Sequence, residues 1–137
     1  MRRMHGTRAI VTAMLGAIVA GAAGCGSIQW ETSYDRAMRR GIEQRRRVLV
    51  QFASTVSTDC REMDLKVFTD SEVQRLTKNF VPVRLDTVLD KKLADHLGVS
   101  VVPSFYVIRP DGQVVGSHAG KMDAEKFRIF LIKYSYN

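Results

Sequence analysis

The chain has 137 residues, of which 45% are hydrophobic and 26% are charged, a composition typical of one ordinary globular domain. This composition excludes a disordered or fibrous chain. Of its 21 basic residues three lie in the first eight positions, which leaves 18 basic against 14 acidic side chains in the rest of the chain. The predicted mature protein therefore keeps a moderate positive charge.

Residues 1–24 have the pattern of a secretory signal peptide. Three arginines, Arg2, Arg3 and Arg8, precede sixteen residues without any charge, from Ala9 to Gly24. A membrane-spanning helix needs roughly 20 apolar residues, and this run is shorter and rich in Ala and Gly. A permanent transmembrane helix is therefore the weaker interpretation, and we predict that residues 1–24 direct export.

The uncharged run ends in Ala22-Ala23-Gly24-Cys25, which resembles the bacterial lipobox, whose cysteine receives lipid after cleavage. Ala22 departs from the usual Leu of that motif, and the alternative is an incidental cysteine after cleavage of a soluble secreted protein. The first interpretation makes residues 25–30 a lipidated linker and Cys25 the anchor to the membrane of the cell envelope. Gly26 in place of Asp favours, by resemblance to Gram-negative sorting rules, the periplasmic side of the outer membrane.

The first predicted element of the mature chain is a helix from Glu31 to Arg46, in which Tyr34, Met38 and Ile42 recur at four-residue spacing. Arginines occupy its other faces and could contact phosphates of lipid or nucleic acid. Because no aromatic interleaving or nucleic-acid motif accompanies them, we predict a solvated helix face and no nucleic-acid partner. Six of these basic residues fall within twelve positions: Arg36, Arg39, Arg40, Arg45, Arg46 and Arg47.

Two strands follow from apolar runs. Residues 48–53 are almost continuously apolar, as expected of a strand that is covered on both faces and is central in its sheet. Residues 81–85 form the second strand, in which Pro82 must lie at the start or on an edge because it cannot donate a ladder hydrogen bond.

Further helices are predicted on either side of the second strand. One begins near Cys60, and Thr69-Asp70-Ser71-Glu72 has the form of a capping box for the next. A later helix closes at Gly98 in a left-handed cap. The apolar stripes of the last two helices are Val73, Leu76 and Phe80, then Leu89, Leu93 and Leu97.

The chain then shows a hairpin and a final helix. Strands over residues 104–108 and 113–117 are joined by Arg109-Pro110-Asp111-Gly112, a turn signal. Asp123 caps a helix whose apolar face is Phe127, Phe130 and Leu131, flanked by Ile132 and Tyr134. The order is therefore helix, strand, helices, strand, helix, strand, strand, helix.

Four separated blocks of this sequence resemble the thioredoxin-like family in order and spacing: residues 52–63, 69–73, 102–105 and 110–112. The similarity extends from about Trp30 to Lys133. It is greatest to envelope thioredoxin-like proteins of bacteria and to the C-terminal domain of thiol:disulfide interchange proteins. The resemblance implies an α/β thioredoxin-like fold over residues 31–137, with a central mixed β-sheet flanked by helices.

The same resemblance implies a degenerate active site. Ser57 stands at the first position of the Cys-x-x-Cys motif, and only Cys60 remains. A serine without an adjacent base is a poor nucleophile, so we interpret Ser57 as a helix N-cap. Gln51 stands where thioredoxins place a buried acid, and Val56 where they usually have Trp.

The resemblance also makes Pro103 the cis-proline of the family, although a trans proline in a simple turn is the alternative. With Val102 and Ser104 it would line a groove for a protein or thiol partner.

We therefore predict a partner-binding module with little or no dithiol exchange. The alternative is a monothiol thiol-disulfide oxidoreductase that acts through Cys60. A shielded Cys60 would be a small apolar core residue, whereas the helix start and Arg61 would favour a reactive thiolate.

No metal or cofactor is expected. His96 and His118 have no Cys or His partner at ligand spacing. Gly112, Gly116 and Gly120 do not form a phosphate loop, because they do not open a helix.

Overall fold

The computed structural model describes residues 26–135. Predictions for residues 1–25, including the signal peptide and the lipidated Cys25, lie outside the described residues. Within 26–135 the helices and strands follow one another in the order that the sequence predicts. They are α1 (Tyr34–Gln44), β1 (Val48–Ala53), α2 (Thr58–Lys66), α3 (Ser71–Thr77), β2 (Val81–Asp86), α4 (Lys91–Leu97), β3 (Ser104–Ile108), β4 (Val114–Ala119) and α5 (Ala124–Ser135).

The four strands form one mixed sheet in the order β2-β1-β3-β4. Strand β1 is parallel to β2 and antiparallel to β3, and β3 is antiparallel to β4. The predicted central position of β1 and edge position of Pro82 are both confirmed. So is the predicted α/β class with a central mixed sheet flanked by helices.

This pairing gives the molecule two distinct ends. Ala53 pairs with Asp86 and Phe52 with Ser104, so β1 and β2 finish where β3 starts. We call this the site end, since the loop with Ser57 leaves the sheet there. At the opposite end, the far end, Val48 is the register partner of both Val81 and Ile108.

Each face of the sheet is covered by its own apolar cluster. One cluster joins Leu49 and Phe105 of the sheet to α2, α3 and α5, with Phe127 at 0% exposure. The other joins Val50 and Phe52 to α1 and α4. Every member of these two clusters lies between residues 28 and 134, so residues 26–135 contain an apolar cluster on each face of the sheet.

The predicted apolar stripe of α1 is partly wrong. Tyr34 and Met38 pack on the core, but Ile42 is 59% exposed, and Ala37 and Gly41 face the sheet instead. A Cβ on Gly41 would lie 2.9 Å from the Arg46 carbonyl oxygen. The helix therefore approaches the sheet through its small residues, which bring the two backbones close.

Two predicted helix starts also differ from the structure. Asp70, not Thr69, caps α3, because its carboxylate accepts hydrogen bonds from the N–H groups of Glu72 and Val73. The Thr69 hydroxyl instead donates to the Leu65 carbonyl at 2.8 Å. Leu89 precedes α4 and is 87% exposed, because Asp86 and Asp90 hold the preceding residues in a turn.

Residues 26–30, part of the expected linker, are attached to the fold. Ile28 and Trp30 pack against the core cluster on the α2 side of the sheet, and the Trp30 ring lies edge-on to Phe68 at 5.3 Å. Glu31 then bridges to Val83 on the outer edge of β2. Few residues are left to separate Cys25 from the domain.

Candidate functional site

The loop between β1 and α2 ends in a capped helix, as predicted. The Ser57 hydroxyl oxygen accepts a hydrogen bond from the Cys60 N–H at 3.2 Å, which satisfies one of the free amides of the first turn. The N–H of Ser57 donates to the Ser54 carbonyl at 3.2 Å. Ser57 therefore serves the helix, and no hydrogen bond of its hydroxyl to a general base is found among the described residues.

Cys60 lies in the first turn of α2 and is buried, with 4% of its surface exposed. It is not part of a disulfide bond. Its backbone is held by the Ser57 cap, so the thiol is fixed beneath the loop. A thiol in this position is shielded from large reactants.

Beneath this helix, a buried amide contacts an arginine from the neighbouring strand. Gln51 is fully buried, and its Oε1 accepts from Arg84 Nε at 2.8 Å. Arg84 Nη2 also donates to Asp64 of α2 at 2.6 Å. The Gln51 Nε2 has no hydrogen-bond partner among the described residues. A buried donor without a partner costs about 1–3 kcal/mol, so the Arg84 contact must stabilise an otherwise unfavourable side chain.

Arg84 also connects the site to the start of the domain. Its guanidinium lies 4.8 Å from the Trp30 ring centre and 5.5 Å from that of Phe68. A guanidinium over an aromatic ring is held by cation–π attraction. Arg84 was not predicted as a site residue, although its alternation with Val83 and Leu85 in β2 places it on one face of the sheet.

A cavity of about 340 Å³ opens beside the thiol. It brings together one sulfur, two guanidinium groups and two carboxylates, so both signs of charge surround the entrance. Its lining residues are Ala53, Ser54, Thr55, Cys60, Arg61, Asp64, Arg84, Leu85 and Asp86.

On the other side of α2, Lys121 bridges two acids. Its Nζ donates to Glu62 at 2.6 Å and lies 3.3 Å from Asp59. The hydrogen bond with Glu62 is the main reason why the pKa of Lys121 is raised, and the same bond lowers the pKa of Glu62. Asp59 is thus engaged with a cation, which leaves Ser57 without a basic neighbour.

Val102, Pro103 and Ser104 lie at the same end of the sheet as this loop. A cis peptide bond joins Val102 to Pro103, as the family resemblance implies. The Pro103 carbonyl accepts from the Gly120 N–H at 2.8 Å, and the Ser104 hydroxyl donates to Val101 at 2.7 Å. Pro103 and Ser104 are buried and Val102 is half-buried, so Val101, which is 47% exposed, presents most of the side-chain surface here.

Three loops at the site end expose large apolar side chains. Val56 is 86% exposed in the loop after β1, and Val88 and Leu89 are 79% and 87% exposed after β2. Val101 lies in the segment before β3. Of these residues only Val56 was connected with the site from the sequence. The sequence pattern assigns Leu89 to the apolar stripe of a helix.

His96 is exposed and His118 is half-buried. Within residues 26–135 no three His, Cys, Asp or Glu side chains are grouped as metal ligands would be. The helices of this part of the chain are also too short and too polar to cross a membrane.

Comparison with known proteins agrees with this geometry. Thioredoxin from Thermus thermophilus is 25% identical with a TM-score of 0.70, covering 79% of this chain and 87% of that protein. The DsbD C-terminal domain of Neisseria meningitidis is 18% identical with a TM-score of 0.66, covering 77% and 98%. DsbH oxidoreductase is 16% identical with a TM-score of 0.64, covering 80% and 85%.

No curated protein shows significant similarity to the chain. Residues 34–135, however, match the model of the thioredoxin-like domain. This match includes α1 to α5 and all four strands of the described sheet. The chain therefore belongs to the thioredoxin-like domain family.

Proposed function

We propose that this protein is a membrane-anchored thioredoxin-like domain of the cell envelope that binds a partner or substrate protein at its site end, with little or no dithiol exchange. The observation that carries this proposal is the Ser57 cap. Dithiol exchange needs a nucleophilic thiolate and a second thiol that resolves the mixed disulfide. The Ser57 hydroxyl, which is engaged at a helix start, can serve neither as the nucleophilic thiolate nor as the resolving thiol. The remaining thiol of the motif, that of Cys60, is buried.

The exposed apolar side chains of the site end support a binding role. Val56, Val88, Leu89 and Val101 come from three loops that leave the same end of the sheet. Apolar side chains grouped on a surface are typical of protein contact sites. A partner that covers them would be held beside the Pro103 segment.

The anchor is proposed from the sequence. The charged leader, the uncharged run and Ala-Ala-Gly-Cys occur in the order that a lipoprotein requires. Acyl chains contribute about 0.8 kcal/mol for each buried CH₂, so more than one chain on Cys25 gives stable attachment. The outer membrane is the proposed destination, because Gly26 follows the cysteine.

Site-directed photocrosslinking tests the binding role. A photoreactive residue at Val56 in the full-length protein should capture a discrete partner in the native envelope. The matched control is Ile129 of α5, which is 59% exposed and also apolar. Leu89→Asp should reduce capture at Val56 severalfold, because a charge would be buried under the partner. Equal capture at Val56 and Ile129, or capture unaffected by Leu89→Asp, would contradict the proposal.

The second candidate is a monothiol oxidoreductase, which the cavity beside Cys60 favours. The Cys60 thiolate would attack a small disulfide that enters this cavity, form a mixed disulfide and release one thiolate. An external thiol would then attack the mixed disulfide, regenerate Cys60 and leave as the new disulfide. Arg61 lines the same cavity and would favour an anionic substrate such as a glutathione disulfide.

Mass spectrometry after incubation with glutathione disulfide separates the two candidates. In the Cys25→Ser protein, in which Cys60 is the only thiol, a binding module should stay unmodified while it is folded and gain one glutathione only when it is unfolded. Rapid modification of the folded protein, absent in Cys60→Ser and accompanied by turnover in an insulin-reduction assay, would favour the enzyme.

A further inference from the structure

The far end of the molecule collects basic side chains from three separate segments. Arg45, Arg46 and Arg47 join α1 to β1, Lys78 follows α3, and Arg109 follows β3. We call these five residues the basic end. All but Arg47 are exposed.

Contacts show that these segments are neighbours. Arg46 Nη1 donates to the Lys78 carbonyl at 3.0 Å. A second surface cavity is lined by Arg45, Arg47 and Arg109, together with Asp111. The basic end is therefore a continuous surface built by the fold, not only a run of arginines in the sequence.

Few acids offset this charge. Asp111 pairs with Arg109 at 3.2 Å, and Glu43 is exposed on α1. Glu31 is occupied by Arg36 and Arg40 further along α1. In the part of the chain that the structure describes, the basic end thus sets five basic side chains against Asp111 and Glu43, which leaves a net positive surface.

At the site end, two of the basic side chains are paired with acids. Arg84 pairs with Asp64, and Lys121 is shared by Asp59 and Glu62.

The polypeptide leaves the fold at the basic end. Gly26, the first described residue, lines a cavity with Arg40, Arg46 and Lys78. Cys25 immediately precedes it, and neighbouring Cα atoms are about 3.8 Å apart. A lipid attached to Cys25 would hold the cavity lined by Arg46 and Lys78 close to the membrane surface, at a separation comparable to the Debye length, roughly 10 Å at 0.1 M salt.

We propose that the basic end docks on anionic lipid headgroups and so turns the site end away from the membrane. Anionic lipid surfaces attract nearby Lys and Arg side chains, and the attraction is screened by salt. The inference rests on the proposed function only for the anchor at Cys25. Docking of the protein surface itself requires no acylation.

A vesicle assay tests the docking without the anchor. The protein is the predicted mature chain from residue 25 with Cys25→Ser, which contains both apolar clusters. It should cosediment with phosphatidylcholine vesicles that contain phosphatidylglycerol, but not with pure phosphatidylcholine. Raising the salt from about 0.1 M to about 1 M, where the Debye length falls to about 3 Å, should release it.

Two triple variants with equal net charge show whether the surface or the total charge is responsible. Arg45→Asn with Lys78→Gln and Arg109→Gln should weaken vesicle binding by about tenfold or more. The control is a triple variant at the site end that should bind like the parent protein. Its changes are Lys91→Gln, Lys92→Gln and Lys126→Gln.

Circular dichroism and thermal melting of both triple variants establish that each is folded. Absence of binding to the anionic vesicles at low salt would overturn the proposal, as would equal loss of binding in the two variants. Either failure leaves the crosslinking result at Val56 unchanged, so the docking surface and the proposed partner site are tested separately.

Discussion

Replacing Ser57 by Cys should restore a working Cys-x-x-Cys loop. In the reduced state the variant loses the hydroxyl that accepts from the Cys60 N–H, because sulfur is a weaker acceptor. Loss of a serine N-cap costs about 1 kcal/mol, which lowers Tm by roughly 4 °C in a domain of this size. Ser57→Ala should lose the same amount and serves as the matched control. The helix start that this cap now satisfies would stabilise a Cys thiolate.

The assay uses the mature chain with Cys25→Ser. Both thiols of Ser57→Cys should titrate after reduction and neither after oxidation, and the variant should reduce insulin measurably. Wild type and Ser57→Ala should be almost inactive. Adding Gln51→Asp should increase turnover, because a carboxylate can accept a proton. Insulin reduction by wild type at the rate of Ser57→Cys would refute the degenerate-site reasoning, and absence of a disulfide in the variant would refute the pairing of these two positions.

Three more predictions follow from the sequence and the contacts. Cys25→Ser should release the protein from membranes or stall its maturation; unchanged partition and mature mass on fractionation would contradict lipidation. The hydrogen bond from Arg40 lowers the pKa of Glu31 in the folded protein below the ordinary value of 4.5. The ionised Glu31 therefore stabilises the fold fully above pH 4.5, and this stabilisation is lost as the pH falls through the lower pKa of the folded state. Urea titrations should therefore show Glu31→Gln less stable than wild type at pH 7 and equal to it in acid; a difference that persists in acid would exclude this linkage. Gly116→Ala should destabilise by about 1–3 kcal/mol, because its Cβ would lie 2.4 Å from the Tyr134 ring, and Tyr134→Ala should remove that cost in a double-mutant cycle.

The order of elements could be predicted because each signal was local. The apolar run of β1, the Gly98 cap and the hairpin turn at Gly112 need no distant contact to be recognised, and all three are confirmed. The buried side of α1 could not be chosen in the same way. Small residues such as Ala37 add little to an apolar pattern, so the sequence pattern places Ile42 in the buried stripe of α1. In the structure the close approach of the α1 backbone to the sheet decides which side of the helix is buried, and Ile42 is exposed.

The site was predictable only in part for a similar reason. The Ser57 cap follows from residue type and position, but the contact between Gln51 and Arg84 joins residues 33 positions apart on neighbouring strands. Strand register decides such a contact, and one sequence does not specify register between distant segments. Exposure of Leu89 likewise depended on the turn held by Asp86 and Asp90.

Gln51 stands where the family resemblance implies a buried acid, and this replacement has a consequence for how pH acts on the fold. Among residues 26–135 the buried polar side chains are Gln51, Thr77 and Ser104, none of which is an acid or a base in the physiological range. A buried carboxyl group would tie folding to protonation, because its charged form is costly in a low-dielectric core. With an amide at that position, no fully buried side chain among residues 26–135 is a carboxylic acid or an imidazole. Within residues 26–135, acidification therefore reaches the fold through carboxylates outside the core, both those in ion pairs and those that cap helices or turns, such as Asp70.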